Sequence, residues 1–228
     1  MKKIGKVLFF ISLLSAQSSN FRFDNNDCDS ENHVKSIISS SSLWLSGSPL
    51  VQPMSNNRLI FQSGLSVFSK KICDDYWIYP NFDLAYKVTQ NLSVNSKIFG
   101  MSTDNDSPQV LGAGLEYYFG SSDTLNWSAS IQRVDLKGLK HFRLTSLNIN
   151  LYKWTSWYKF KIRIGVGSNF FKERSFFYDE TIPLSMEGQI NYIGVDGLFV
   201  NNIITFGWNS RINPKRSIIT FFLQKEIF

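Results

Sequence analysis

From Asn57 onward the sequence repeats with a period of two, and this constrains the fold more than any other feature. In residues 81–89 one face carries Phe82, Leu84, Tyr86 and Val88, and the other carries Asp83, Ala85, Lys87 and Thr89. In 109–119 Leu111, Ala113, Leu115, Tyr117 and Phe119 alternate with Val110, Gly112, Gly114, Glu116 and Tyr118. In 158–170 Tyr158, Phe160, Ile162, Ile164 and Val166 alternate with Lys159, Lys161, Arg163, Gly165 and Gly167. Successive side chains of a strand point to opposite faces, so alternation of this length predicts strands with one apolar and one polar face. No apolar stripe at helical spacing stands out beyond the first residues.

Ten such runs are expected, at about 58–69, 81–89, 91–101, 109–119, 126–135, 141–153, 158–170, 188–199, 203–210 and 217–228. Within 141–153 the apolar face changes from Phe142 and Leu144 to Leu147, Ile149 and Leu151, which predicts a bulge. The connections alternate between tight ones (89–91, 153–157, 200–202) and longer polar ones (69–80, 102–108, 171–188). Antiparallel neighbours joined this way predict an all-β, up-and-down antiparallel barrel of about ten strands, within a range of eight to twelve.

Residues 1–18 have the form of a secretory leader. Lys2, Lys3 and Lys6 precede the apolar stretch Val7–Leu14, and cleavage after Ser18 places Ala16 and Ser18 at the small-residue positions. Cleavage after Ala16 also fits, with Leu14 a poor third-last residue. The apolar stretch is far short of the ~20 residues that a spanning helix needs. The leader carries three lysines and no acid, so its removal lowers the net charge from +6 to +3. Such a small surplus leaves no electrostatic footprint for nucleic acid.

Alternation alone does not say which face meets water. A soluble barrel packs its apolar face inward, whereas a membrane barrel turns it outward. Three features favour the second. Aromatic residues crowd the strand ends (Trp77, Tyr79, Tyr117, Phe119, Trp127, Tyr152, Trp154, Trp157 and Tyr158), as in an interfacial girdle. The polar faces carry charge at mid-strand, so Asp83, Glu116, Lys159, Lys161 and Arg163 are candidate lumen charges, with Glu187 and Asp196 as further partners. The sequence closes on Phe228 directly after a strand.

On these features the chain resembles bacterial outer-membrane β-barrel proteins, porin-like in pattern, without pointing to a particular member. The resemblance covers residues 57–228 and the leader. It implies a Gram-negative type outer membrane, contact with outer-membrane lipid, and Phe228 as the signal read by the barrel-assembly machinery. The last strand departs from the family form: Gln224 and Glu226 fall where apolar residues are expected, and Ile219, Phe221 and Leu223 form its apolar face. A bulge or frayed end would reconcile the two. A barrel of ten strands is narrow enough for side chains to fill.

Residues 19–56 are expected in the periplasm or tucked into the lumen as a plug. A twelve-strand alternative makes 20–23 and 34–45 an additional hairpin. In that version Cys28 and Cys73 share the outer side and can pair in an oxidising compartment; in the ten-strand version they stay apart.

The search for catalysis finds little. His33 and His141 are the only histidines, and histidine is the usual general base near neutral pH. Lipid A deacylases pair a histidine with a serine two positions on, where this chain has Arg143. Outer-membrane aspartyl proteases use Asp-x-Asp and Asp-x-His; Asp104 and Asp106 match the first, and the second is absent. The expectation is a non-enzymatic barrel with a structural, adhesive or accessory role, needing no cofactor. The alternatives are a lipid-modifying enzyme of the outer membrane and a soluble, secreted, ligand-binding β-barrel. The candidate contact surface is the loop 171–188, through Lys172, Arg174, Phe176, Phe177 and Tyr178.

Overall fold

A computed structural model describes residues 21, 23, 30–72, 76–100, 106–121, 125–178, 182–201 and 204–227. The leader, Cys28, Cys73, Asp104 and Phe228 lie outside these residues, and so do the expectations placed on them.

The alternating runs become ten strands: β1 (Leu59–Phe68), β2 (Ile78–Lys87), β3 (Leu92–Gly100), β4 (Gln109–Phe119), β5 (Trp127–Lys137), β6 (Phe142–Trp157), β7 (Phe160–Ser175), β8 (Ser185–Phe199), β9 (Thr205–Ile212) and β10 (Ser217–Ile227). Each strand pairs antiparallel with its sequence neighbours, and β1 pairs with β10, so the sheet closes on itself. Closure removes the exposed edges that an open sheet must otherwise protect. The tight connections at 89–91, 153–157 and 200–202 fall at one end, together with the link 120–126, the start of β1 and the end of β10. The long links 69–80, 102–108 and 171–188 fall at the other, here called the outer end, with the shorter links 138–141 and 213–216.

The apolar face points out. Leu111, Phe221 and Val166 are 66%, 63% and 58% exposed, while Arg163 and Glu116 on the opposite face are each 1% exposed. The sheet is therefore built inside-out relative to a soluble barrel.

The bulge expected in β6 is absent, and so is a bulge in β10, one of the two ways of reconciling its faces. β6 pairs without interruption with β5 and β7, from Phe142 to Trp157 on the β7 side. Phe142 and Leu144 share the inner face with Ser146, Asn148 and Asn150. What changes along the strand is the chemistry of the interior, while the register holds. β10 likewise pairs residue for residue with β1, matching Leu59 to Ile227 through Phe68 to Ile218. Gln224 points inward, and so cannot join the outer belt.

The interior is occupied by the chain's own N-terminal segment. Residues Ser30–Leu45 form a helix, α1, where neither a helix nor a stripe of helical period was expected. A helix buried on most of its surface leaves only a narrow polar stripe, here Asn32, Lys35, Ser36 and Ser39. Val34, Ile37, Ile38, Leu43, Trp44 and Leu45 are buried against Phe68, Trp77, Tyr79, Val110, Val134, Leu136, Phe142 and Leu144 at the outer end. Ser40, Ser41 and Ser42 are buried too; their small side chains let the helix approach the wall closely. This helix replaces the second strand of the twelve-strand alternative. Gly47 and Pro49 end it: the Gly47 N–H bonds to the Trp44 carbonyl at 3.1 Å, and proline cannot continue the ladder.

Beyond α1 the chain crosses the lumen to reach β1. Lys87 secures this strap by donating to the carbonyls of Gln52 (3.2 Å), Pro53 (2.7 Å) and Ser55 (2.6 Å). Ser55 Oγ bonds to a Glu226 carboxylate oxygen at 2.6 Å. The Leu50 N–H donates to Gln62 Oε1 at 3.2 Å.

Candidate functional site

Three cations and three carboxylates meet on the inner face of the wall. Arg163 on β7 donates from Nε to Asp196 on β8 at 2.7 Å and from Nη1 to Glu116 on β4 at 3.2 Å. Its guanidinium lies 4.2 Å from the Tyr152 ring centroid and 5.5 Å from that of Trp154. Lys97 on β3 lies 2.9 Å from Asp83 on β2 and donates to Asn81 Oδ1 at 3.0 Å. Arg211 on β9 is 1% exposed, donates to Asn209 Oδ1 at 3.0 Å, and lies 5.8 Å from the Tyr192 ring centroid. Taking ions out of water is costly unless they pair and form hydrogen bonds, so the equal numbers of cations and carboxylates make this arrangement tolerable.

Room for it comes from missing side chains. Gly165 pairs opposite Tyr152, and a Cβ at Gly194 would come 2.2 Å from the Tyr152 hydroxyl. These two glycines give the tyrosine ring a flat wall to lie on, beneath Arg163.

The plug helix ends against the same network. α1 has no basic residue in its last turn, so it cannot balance its own negative C-terminal dipole. The wall does so: a Cβ at Gly47, just past the helix, would lie 3.4 Å from Lys97 Nζ and 3.8 Å from an Arg211 nitrogen. Asn169 donates to the Ser42 carbonyl (2.8 Å) and hydroxyl (2.6 Å), and Asn148 donates to the Ser46 carbonyl (2.9 Å). Trp44 Nε1 donates to Asn81 Oδ1 at 3.1 Å. Carbonyls that a helix end leaves without partners are thus satisfied by another part of the chain.

Of the candidate lumen charges, Asp83, Glu116 and Arg163 lie in this interior, Asp83 paired with Lys97 and Arg163 with Glu116 and Asp196. Lys159 and Lys161 do not belong with them. Lys159 is exposed in the two-residue turn between β6 and β7, and Lys161 donates to Ser156 Oγ at 3.1 Å in an exposed bond. The hairpin turns before the alternation reaches the lumen. Glu187 is exposed as well, paired with Lys172.

The aromatic girdle divides by face. Tyr117 (53%), Trp157 (75%) and Tyr158 (86%) are exposed at the tight-turn end, where Tyr117, Phe119 and Trp127 stack in sequence. Trp77, Tyr79, Tyr152 and Trp154 point inward and are buried. Proximity to a strand end does not fix a side; strand parity does.

The loop expected over 171–188 is shorter than the sequence indicates, because β7 extends to Ser175 and β8 begins at Ser185. Lys172 and Arg174 are therefore exposed strand residues. Phe176 and Tyr178 are exposed in the loop, while Phe177 packs edge-on to Phe23 and 4.8 Å from the His141 ring. His141 Nδ1 accepts the Phe23 N–H at 2.8 Å, so this histidine helps to hold the N-terminal segment. His33 is buried, and Asp106 accepts the Lys140 N–H at 2.8 Å.

At the outer mouth a second cluster gathers between α1 and the wall. Arg216, before β10, donates from Nη1 to Ser40 Oγ at 2.6 Å and from Nη2 to Ser36 Oγ. Burial pulls the Arg216 guanidinium below its ordinary basicity, with Tyr79 acting in the opposite direction; it stays a cation throughout the physiological range. Lys97, Arg211, Arg216 and α1 itself were missed by sequence reasoning. Lys97 could have been found from its place on the polar face of the run 91–101.

No family model matches the chain, and no curated protein matches it. Solved structures similar to it are outer-membrane β-barrels. They include a bacterial polysaccharide outer membrane secretin (7% identity, 76% of this chain and 77% of that one, TM-score 0.40). The Ralstonia pickettii toluene transporter TbuX matches at 8% identity, 82% of this chain and 94% of that one, with a TM-score of 0.36. Ail, the attachment invasion locus protein of Yersinia pestis, matches at 11% identity, 75% of this chain and 98% of that one, with a TM-score of 0.27. At such identities a shared site does not follow. The architecture stands on the closed strand order of this chain.

Proposed function

We propose that the protein is an integral outer-membrane β-barrel without a catalytic role, sealed by its own N-terminal segment. Its structural, adhesive or accessory contribution is then made at the outer mouth. One observation carries this: the apolar face of the barrel wall points outward, with Leu111, Ile164 and Phe221 each more than half exposed. Apolar patches on soluble monomers rarely exceed a few hundred Å², and here the patch encircles the barrel. No helix among the described residues is long and apolar enough to cross a membrane, so the crossing falls to strands of 8 to 16 residues, around the ~9–11 that a tilted spanning strand needs.

Export through the leader over 1–18, insertion by the barrel-assembly machinery and lipid contact along the belt belong to the same proposal. The plug speaks against an open pore. Extraction into detergent should yield a species whose gel mobility shifts on heating, as closed barrels unfold only then. Recovery of the protein in soluble form from periplasm or medium would overturn the membrane assignment. Absence of catalysis is tested with His141→Ala: an altered pattern of lipid A or phospholipid modification relative to the wild type would refute it.

A further inference from the structure

The plug does not fill the outer mouth. A cleft of about 720 Å³ remains between α1 and the wall formed by the outer ends of β7 and β8, the residues after β1 and the β9–β10 turn. Its volume falls in the range of ~300–1,000 Å³ typical of small-molecule sites.

Among the described residues the lining carries more cations than carboxylates. Lys35 on α1, Lys70 after β1, and Lys215 and Arg216 in the β9–β10 turn all border the cleft. Glu187 is the one carboxylate beside them among the described lining residues, and Lys172 already neutralises it. These cations come from three separate parts of the chain, brought together by barrel closure and by the docking of α1.

Arg216 is the pre-positioned member. Two serine hydroxyls of the plug hold its guanidinium, and no carboxylate pairs with it among the described residues. A guanidinium has five N–H donors in a rigid fork, so donors remain on the same group that borders the cleft. Such a fork suits the tetrahedral oxygens of a phosphate, and lysines add charge without fixing its geometry.

We infer that the cleft binds a phosphate-bearing small solute, with the phosphate held by Arg216 and flanked by Lys70 and Lys215. The sugar-sized remainder of the volume takes the solute's polar body, next to Ser36. Because the cleft opens at the mouth and lies behind the wall from the outward apolar face, a solute in water reaches it more directly than a lipid headgroup does.

The test is isothermal titration of the detergent-solubilised full chain with glucose 6-phosphate, with glucose as the neutral control. Saturable binding of the phosphate ester is expected, weakened by added NaCl as ionic screening increases; glucose gives no binding. Lys70→Gln/Lys215→Gln removes two exposed charges outside the contacts of the plug. Its heat-modifiable mobility is expected to be unchanged, while affinity for glucose 6-phosphate falls at least roughly fivefold. Competition by inorganic phosphate supports the phosphate as the recognised group. Short-chain phosphatidic acid in the same micelles separates the sources: if it displaces glucose 6-phosphate more strongly than inorganic phosphate does, the occupant is a lipid headgroup and the solute assignment falls. Absence of binding by every phosphate compound, or equal affinity in the double variant, overturns the site.

Discussion

The two halves of the lumen are lined by the same strand faces and yet differ in how far they are held by ion pairing. Towards the outer end, Phe68, Tyr79, Val134, Leu136, Phe142 and Leu144 pack on the helix, and burial of apolar area supplies the stabilisation. Further in, the same faces present Asp83, Lys97, Glu116 and Arg163, and pairing is added to the smaller apolar contacts of Leu50 and Val51 with the wall. The difference follows what each half must contact. A helix offers apolar side chains and has satisfied its own backbone, whereas the strap of 46–56 presents bare amides and carbonyls that need polar partners. The wall therefore gains charged and polar groups where the plug loses its helix, while Leu50 and Val51 still pack on apolar wall residues.

The sharpest way to break this contrast is Arg163→Met, which leaves Glu116 and Asp196 buried without their cation. Removing one partner of a buried pair costs about 3–5 kcal/mol, and a correspondingly lower urea midpoint is expected in detergent. Neutralising all three groups together (Arg163→Met, Glu116→Gln, Asp196→Asn) should recover much of the loss. A single variant as stable as the wild type would show that the charges are not mutually dependent.

In the apolar half, Trp44→Ala should cost about 3 kcal/mol and loosen the plug before the barrel. Limited proteolysis should then cut within 30–56 while the heat-modifiable barrel persists. If barrel and plug fail together, the two halves are one cooperative unit. At the boundary, Asn169→Ala removes two hydrogen bonds to Ser42 at a cost of about 1–2 kcal/mol, with the same protease readout. Outside, Lys172→Ala breaks an ion pair whose side chains are 68% and 62% exposed. Less than about 1 kcal/mol is expected there, and a larger drop in urea midpoint would mean that the outer hairpin contributes more than its exposure suggests.

Strand number and order were legible because a period of two is a local property. Each run shows it without reference to any other, and the tight connections at 89–91 and 200–202 show which runs are neighbours. The interior was legible only in part. Asp83, Glu116 and Arg163 announce themselves as charges on strand faces, but Lys159 has the same parity as Arg163 and falls in a turn, because where a hairpin reverses depends on both strands. The bulge expected from Phe142, Leu144 and Leu147 rested on the assumption that one face keeps one chemistry. That assumption fails in a barrel that contains a helix. Little local marks α1, since serine is a middling helix former and only a narrow face, Asn32, Lys35, Ser36 and Ser39, is left unburied.

By itself, the sequence determined a closed antiparallel barrel with its polar faces set against its apolar ones. Alternation acts over neighbouring residues and survives any arrangement of the strands. Only the tertiary structure decided what fills that barrel and which charges meet. Those contacts join residues far apart in the chain, such as Ser42 with Asn169 and Ser36 with Arg216. Barrel closure and helix docking create these contacts together, and no stretch of sequence carries both partners.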